Sequence, residues 1–145
     1  MSVLSAEAEV VVRFSEVDML TIVWHGHYVT YFEEGRQAFG EKYGLGYMQV
    51  YEQGFSIPIV KLTLEYKQPL KFGEVAVIET TYVETEAAKL IFKYVVRNKE
   101  TGKQIAIGET IQVFVDTQGS LSLTVPDFFT EWKKKWLTRV ANPQS

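Results

Sequence analysis

The stretch that decides the fold is residues 14–36, which read FSEVDMLTIVWHGHYVTYFEEGR. From residue 28 onward the spacing is helical, with apolar side chains on one stripe and most of the charged ones off it. The stripe consists of Tyr28, Tyr31, Phe32, Gly35, Phe39 and Tyr43. We therefore predict one long, buried helix that begins near Tyr28 and is ended by Gly44 and Gly46.

A glycine lies inside this predicted helix, at position 35. Glycine is less favourable than alanine in a helix interior by about 1 kcal/mol. A residue without a side chain lets another part of the chain come very close. We therefore expect a second backbone segment to pack against the helix at Gly35.

Three residues with chemical potential, Asp18, His25 and His27, precede the helix. The apolar run 22–24 follows Asp18, so we expect a partly desolvated carboxylate, which is a better base or nucleophile. The first N–H groups of a helix have no partner within it and could stabilise an oxyanion beside Asp18 and His25.

The residues alone leave other interpretations open. Asp18 could be an ordinary loop aspartate that caps backbone amides, and His25 could be a packing residue. Asp18, His25 and His27 could together bind iron or zinc, although these are the only histidines in the chain and no further ligand spacing supports a metal.

The rest of the chain predicts mainly strands. Alternating and β-branched segments predict strands at residues 9–14, 55–67, 74–85, 90–97 and 104–116, with a short one at 121–125. Residues 44–54 form a connector, and the polar loop 98–102 predicts a hairpin. Within residues 60–67 we expect one face of the strand to be exposed to solvent and the other to be buried. Pro126 opens a terminal helix through about Leu137 with an apolar stripe of Phe129, Trp132 and Trp136.

This order predicts the architecture. Consecutive strands with short turns favour an antiparallel sheet, and a single apolar helix must bury its stripe against that sheet. The fold class is therefore α+β, with a curved antiparallel sheet wrapped around one long helix and a short C-terminal helix. A length of 145 residues, 46% of them hydrophobic, predicts one domain over 1–145. The edges of such a sheet favour pairing between two copies of the chain.

The composition argues against several classes of protein. A net charge of −3 and a pI near 5.5 give no reason to expect nucleic acid as a partner, and residues 133–135 are explained as a solvated helix face. There is no cysteine, and no apolar run approaches the ~20 residues of a membrane span. We expect a soluble, cytoplasmic protein.

Two motifs resemble a known family. The pattern Arg13-Phe14-x-Glu16-x-Asp18, then Ile22-Val23-Trp24-His25 and Tyr28-x-x-Tyr31-Phe32-Glu33-Glu34-x-Arg36, resembles the hot-dog-fold acyl-CoA thioesterases of the 4-hydroxybenzoyl-CoA thioesterase and YbgC-like group. The pattern Tyr66-x-x-Pro69-x-x-x-Gly73-Glu74 resembles a second motif of that group.

The resemblance implies an acyl-CoA thioesterase that needs no cofactor or metal and acts on acyl-CoA or acyl-carrier-protein thioesters. It implies homodimers with a continuous sheet, often paired into homotetramers, and active sites at the subunit interface. Asp18 would be the nucleophile or general base, and the backbone N–H of His25 would polarise the thioester carbonyl. The residues that would line the substrate are Trp24, Tyr28, Pro58, Ile59 and, near the CoA phosphates, Lys89.

The sequence departs from the family pattern at three positions. Thr21 replaces a usual glycine, His27 replaces a small polar residue, and Glu74 replaces a frequent aspartate. Thr21 motivates an alternative function, a non-catalytic protein that binds or senses acyl thioesters. A dehydratase or hydratase on the same fold is a third interpretation, but its motif is not evident. Glu33 and Glu34 could supply a carboxylate from the helix, although a polar face explains them more simply.

Overall fold

The computed structural model describes residues 3–141. The helices are α1 (Tyr28–Tyr43), α2 (Tyr47–Glu52) and α3 (Asp127–Ala141), with 3-10 turns at Phe14–Glu16 and His25–His27. The strands are β1 (Ser5–Val11), β2 (Phe55–Ser56), β3 (Ile59–Tyr66), β4 (Val75–Val83), β5 (Lys89–Asn98), β6 (Gln104–Val113) and β7 (Val115–Asp116). None of the helices in the described residues is long and apolar enough to cross a membrane.

Five strands form one antiparallel sheet in the order β1-β4-β5-β6-β3. The short strands β2 and β7 pair separately. Helix α1 packs chiefly against β1 and β4, and the whole predicted stripe is buried in the core. The predicted α+β class, the antiparallel sheet and the central helix are therefore confirmed.

Helix α1 begins and ends where the sequence predicts. It starts at Tyr28, and Gly44 follows its last residue with φ of 69°, a left-handed conformation that glycine adopts without steric cost. The N–H of Gly44 donates to the carbonyl of Gly40 and so satisfies one terminal carbonyl. The indole Nε1 of Trp132 in α3 donates to the Tyr43 carbonyl at 2.8 Å. The terminal helix therefore caps the central one as well as covering the core.

Several predicted boundaries are wrong. The first strand is Ser5–Val11, not 9–14, because pairing with β4 extends back to Ser5, whereas the segment after Val12 turns away. The connector 44–54 contains α2. Residues 55–67 are two strands separated at Pro58, which has no N–H to donate. Segment 121–125 forms only a bridge from Leu121 to Val115, and the terminal helix is longer than predicted.

Strand β3 does not have the fully buried face that its alternation predicts. Leu62 and Leu64 are half-buried, but Val60 is 60% exposed and Tyr66 is 49% exposed. The reason is position, because β3 lies at the edge of the sheet and only β6 covers its flank. The free edge of β3 therefore carries apolar side chains in the single chain.

A charged side chain, Arg36, lies in the core beside α1. It is 1% exposed, and it donates from Nη1 to the Leu45 carbonyl at 2.9 Å and from Nε to Gln112 at 3.2 Å. Its guanidinium also lies over the ring of Phe92, 4.6 Å from the centroid. Burial lowers the pKa of Arg36. This residue ties α1 to β6 and to the segment that leads into α2.

The close approach at Gly35 comes from side chains, not from the backbone segment that we predicted. A methyl group at Gly35 would contact Thr80 Oγ1 and lie 2.6 Å from Ile78 Cγ2, both on β4. Gly108 on β6 is also tightly enclosed. A methyl group there would meet the ring of Phe32 and lie 2.6 Å from the carbonyl oxygen of Thr63. The two glycines therefore let the helix and the sheet come together.

We predict that Gly108→Ala lowers the free energy of unfolding by about 1–3 kcal/mol, the usual cost of overpacking a core. Gly35→Ala should cost less, because alanine is favoured over glycine in a helix by about 1 kcal/mol, which offsets part of the clash. Chemical denaturation of both variants and wild type measures the difference. Equal stability of Gly108→Ala and wild type would contradict this packing.

Candidate active site

The loop that carries Asp18 is a tight turn between two short bridged segments. Val17 pairs with Val23, and the N–H of Asp18 donates to the Ile22 carbonyl at 2.9 Å. The N–H of Thr21 donates back to the Asp18 carbonyl at 2.9 Å. Thr21 has φ of 63°, so a β-branched residue holds the left-handed conformation that usually favours glycine.

The Asp18 carboxylate uses one oxygen to hold this turn. Its Oδ1 accepts the N–H of Leu20 at 2.8 Å, which is the backbone-capping role that the sequence left open. Within the described residues, no donor contacts Oδ2, so that oxygen is available to another group. The expected partial desolvation is wrong for the single chain: Asp18 is exposed, and Met19 and Leu20 project away at 100% and 75% exposure.

A second carboxylate, Glu16, anchors the loop to α1. It is 3% exposed, and its Oε1 accepts the Tyr31 hydroxyl at 3.1 Å and the N–H of Arg13 at 2.8 Å. Its carbonyl accepts the N–H of Trp24 at 2.9 Å. The sequence analysis did not predict this role. The available signal was a glutamate two residues before Asp18 and a tyrosine on the apolar stripe of the helix.

The 3-10 turn His25–His27 leads directly into α1. The indole of Trp24 lies against it, with ring centroids 4.7 Å from His25 and 5.5 Å from His27. A methyl group at Gly26 would clash with that indole, so the turn accepts the indole only because residue 26 has no side chain. The N-terminal end of α1 is thereby held in one position.

Two tyrosines close the other side of the turn. The hydroxyl of Tyr66, the last residue of β3, donates to the His25 carbonyl at 2.8 Å. The ring of Tyr66 meets that of Tyr28 edge to face, with centroids 5.3 Å apart. Burial, with a smaller effect of Tyr66, raises the pKa of Tyr28 to about 12. The Tyr28 phenol therefore stays neutral at physiological pH and cannot serve as a base there.

These elements border an open cavity of about 350 Å³, within the size range of small-molecule sites. It is lined by Asp18, Ile22, Val23, His25, Tyr28, Tyr66, Lys67, Gln68 and Pro69. Of the predicted site residues, the structure brings Asp18, His25 and Tyr28 together here. Trp24 lies next to the cavity but does not line it.

The other predicted substrate residues lie at the opposite end of the sheet. Ile59 opens β3 and Tyr66 ends it, so about 23 Å of strand separates them. Ile59 pairs with Gln112, which in turn pairs with Leu90, the neighbour of Lys89. Within one chain, Pro58, Ile59 and Lys89 are therefore remote from the cavity.

The second motif has a supporting role in the structure. Pro69 lines the cavity, while Glu74 holds the turn that precedes β4. The Glu74 carboxylate accepts the N–H of Lys71 at 2.6 Å and the Asn98 side-chain amide at 2.8 Å. Glutamate in place of the frequent aspartate therefore still makes structural hydrogen bonds.

The remaining candidate ligands do not converge on the cavity. Glu33 accepts the Tyr47 hydroxyl at 3.1 Å, and neither Glu33 nor Glu34 lines the cavity. No group of three or more histidine, aspartate or glutamate side chains in the described part of the chain is placed to hold a metal ion. The site brings an exposed carboxylate, Asp18, into the same cavity as His25, whose turn leads into α1. A carboxylate near the start of a helix is suited to attack on a carbonyl.

Comparison with known proteins identifies the family of this chain. The family model described as "Thioesterase-like superfamily" matches residues 12–133. A Bacillus subtilis protein named "Putative acyl-CoA thioesterase YneP" is 28% identical over 127 residues, which cover 88% of this chain and 91% of that protein.

Two solved structures share the fold. The Thermus thermophilus protein TT1821 is 29% identical with a TM-score of 0.78, over 88% of this chain and 95% of that chain. A 4-hydroxybenzoyl CoA thioesterase mutant, solved with 4-hydroxybenzoyl CoA, is 23% identical with a TM-score of 0.77, over 89% and 98%. The predicted hot-dog fold and the resemblance to this group are confirmed. The chain belongs to the thioesterase-like superfamily, a family of thioester hydrolases.

Proposed function

We propose that this protein hydrolyses acyl-CoA thioesters to a free carboxylic acid and CoA, with Asp18 as the reacting carboxylate. The observation that carries the proposal is the shared cavity of Asp18 and the His25–His27 turn. Asp18 keeps one oxygen free of protein donors in the described chain, while its other oxygen fixes the loop. A carboxylate that is both held and partly free suits a nucleophile or a general base.

Two routes fit this geometry. In the first, Asp18 Oδ2 attacks the thioester carbonyl carbon, the C–S bond breaks, the CoA thiolate leaves, and water then hydrolyses the acyl-aspartyl anhydride. In the second, Asp18 takes a proton from a water molecule whose oxygen attacks the same carbon, and the leaving thiolate is protonated. Both routes consume one water and release one carboxylic acid and one CoA.

The carbonyl oxygen would be held at the start of α1. In this proposal the backbone N–H of His25 donates to the thioester oxygen, as the resemblance implies, and the helix dipole adds partial positive charge there. A preorganised backbone donor contributes most as negative charge develops on that oxygen. The His25 side chain lines the same cavity, and in this proposal it contacts the substrate.

We also propose that the working form is a homodimer, or a homotetramer built from dimers, joined through the β3 edges. Val60 is 60% exposed and Ile59 is 37% exposed on this free edge. Antiparallel pairing of two β3 strands would place the partner's Ile59 beside Tyr66. Such pairing explains how Pro58, Ile59 and Lys89, which are remote within one chain, could border a substrate. It would also cover the exposed cavity.

The non-catalytic alternative loses its main motive. It rests on Thr21 in place of a usual glycine, because a threonine does not readily adopt the left-handed conformation that glycine allows. Thr21 nevertheless has φ of 63°. The loop geometry is thus compatible with turnover. A cytoplasmic location remains a prediction.

Asp18→Asn should lower the rate of thiol release from acyl-CoAs by about 10²–10⁴-fold, because the substitution removes the reacting carboxylate. The asparagine can keep the hydrogen bond from Leu20, so the loop should remain folded. The assay is a panel of short, long and aromatic acyl-CoAs with a chromogenic thiol reagent. The matched control is Asp116→Asn, since Asp116 also caps a turn but lies elsewhere. Turnover of Asp18→Asn equal to that of the control would reject the proposed role.

Val60→Lys should weaken association and lower activity together, because a lysine on an edge strand opposes pairing with another edge. Val11→Lys on the opposite edge strand β1 is the matched control, since Val11 is 58% exposed. Light scattering after size exclusion measures mass, and thiol release measures activity. A wild-type monomer with full activity would contradict assembly through β3.

Thr21→Gly should raise the free energy of unfolding by about 0.5–1 kcal/mol and keep turnover, because glycine relieves the left-handed strain and retains part of the gain after its own entropy cost. Thr21→Val keeps the branched side chain and should give no such gain. Thermal unfolding of the three proteins measures the effect. A Thr21→Gly protein no more stable than wild type would mean that this turn is not strained.

A further inference from the structure

Tyr66 has no part in the reaction steps above, yet its hydroxyl makes a specific contact at the site. The hydroxyl donates to the backbone carbonyl of His25 at 2.8 Å, across 41 residues of sequence. Tyr66 is 49% exposed, and its ring lines the cavity that holds Asp18. The hydroxyl therefore has a partner within the protein although half of the residue is exposed.

The contact acts on His25, the residue whose backbone N–H is proposed to bind the oxygen of the thioester carbonyl. The carbonyl of His25 is one end of that residue, and the proposed oxyanion donor, its N–H, is the other. The His25 N–H belongs to the peptide group of Trp24, whose carbonyl accepts the His27 N–H at 2.9 Å, whereas the His25 carbonyl belongs to the next peptide group. With both peptide groups held, the backbone angles of residue 25 are restricted, and so is the direction of its N–H. Tyr66 acts on the His25 N–H through position alone, since the peptide group that its hydroxyl polarises is the one shared with Gly26.

The contacts of the His25–His27 turn with Trp24 do not involve the His25 carbonyl. The Trp24 indole packs on the turn from one side, and the N–H of His27 donates to the Trp24 carbonyl at 2.9 Å. Among the described residues, no side chain other than Tyr66 donates to the His25 carbonyl. The hydroxyl is thus a hydrogen-bonded link between β3 and the turn that opens α1, in addition to the ring contact with Tyr28.

We infer that Tyr66 is a positioning residue, whose hydroxyl holds the His25 carbonyl and so helps to fix the backbone of residue 25 with its N–H directed at the thioester oxygen in the transition state. The inference rests on the proposed function and adds a residue to it. A donor aligned for the transition state contributes to kcat more than to substrate binding. The alternative is that only the ring matters, through its contacts with Tyr28 and His25, whose centroids lie 5.3 and 6.3 Å away.

Tyr66→Phe separates these two roles because it keeps the ring and removes the hydroxyl. We expect kcat to fall about tenfold, equivalent to ~1.4 kcal/mol in the barrier, with KM within about twofold of wild type. The matched control is Tyr43→Phe, whose hydroxyl also donates to a backbone carbonyl, that of Ser5 at 3.0 Å, at the far end of α1. That control should lower the melting temperature and leave kcat unchanged.

A spectroscopic measurement tests the positioning without turnover. In an Asp18→Asn background, an acyl-CoA labelled with ¹³C at the thioester carbonyl is bound, and its carbonyl stretch is recorded by infrared difference spectroscopy. Adding Tyr66→Phe should move the stretch to higher wavenumber, because the oxygen is less polarised. Adding Tyr43→Phe should leave it in place.

The outcomes are distinguishable. If wild type hydrolyses the thioester but Tyr66→Phe matches it in kcat and in carbonyl frequency, the inference about Tyr66 is overturned and the thioesterase proposal stands. If wild type hydrolyses no thioester of the panel, the proposed function fails, while the carbonyl frequency still decides whether Tyr66 aligns the His25 peptide.

Discussion

Burial of the aromatic stripe of α1 against the sheet is the constraint on which the rest of the structure depends. The stripe fixes which side of the helix faces the strands, and two tightly enclosed glycines, Gly35 and Gly108, let the layers meet. With the helix axis fixed, its N-terminal end must lie at the end of the sheet where β3 stops. The cavity forms there because the Asp18 loop and the last residue of β3 reach the same place.

Two hydrogen bonds from outside α1 then hold its N-terminal end. Glu16 joins the Asp18 loop to the helix through Tyr31, and Tyr66 joins the sheet to the turn that opens the helix. Trp132 caps the opposite end of α1 through the carbonyl of Tyr43. The Asp18 loop and the His25–His27 turn are thus positioned by separate contacts that converge on one helix. This arrangement leaves Asp18 itself exposed, so in the proposed reaction a substrate or a second chain would have to exclude water from it.

Secondary structure that shows a repeating apolar pattern over many residues was predictable from sequence, whereas features that depend on tertiary contacts were not. The helix was found because sixteen residues repeat an apolar stripe, and the strands because side chains alternate along eight or more residues. Helix α2 was missed because six residues are too few for a helical period to show. The exposed face of β3 was missed because alternation reveals two faces but not whether a strand lies at an edge.

The same distinction holds for the candidate site. Asp18, His25 and Tyr28 are close in sequence, so their convergence could be foreseen, whereas Tyr66 reaches His25 only through the fold. The buried roles of Glu16 and Arg36 depend on partners such as Tyr31 and Gln112 that spacing does not reveal. Pro58, Ile59 and Lys89 were predicted as substrate residues only because the chain resembles a family. Within one chain they do not reach the cavity.

The most direct test of the central claim is a crystal structure of the Asp18→Asn protein with an acyl-CoA thioester. The account predicts the thioester oxygen within hydrogen-bond distance, about 2.7–3.1 Å, of the His25 backbone nitrogen. It also predicts the carbonyl carbon next to the side chain at position 18. A thioester bound elsewhere, for example beside Glu33 and Tyr47 with the His25 turn unoccupied, would contradict the account.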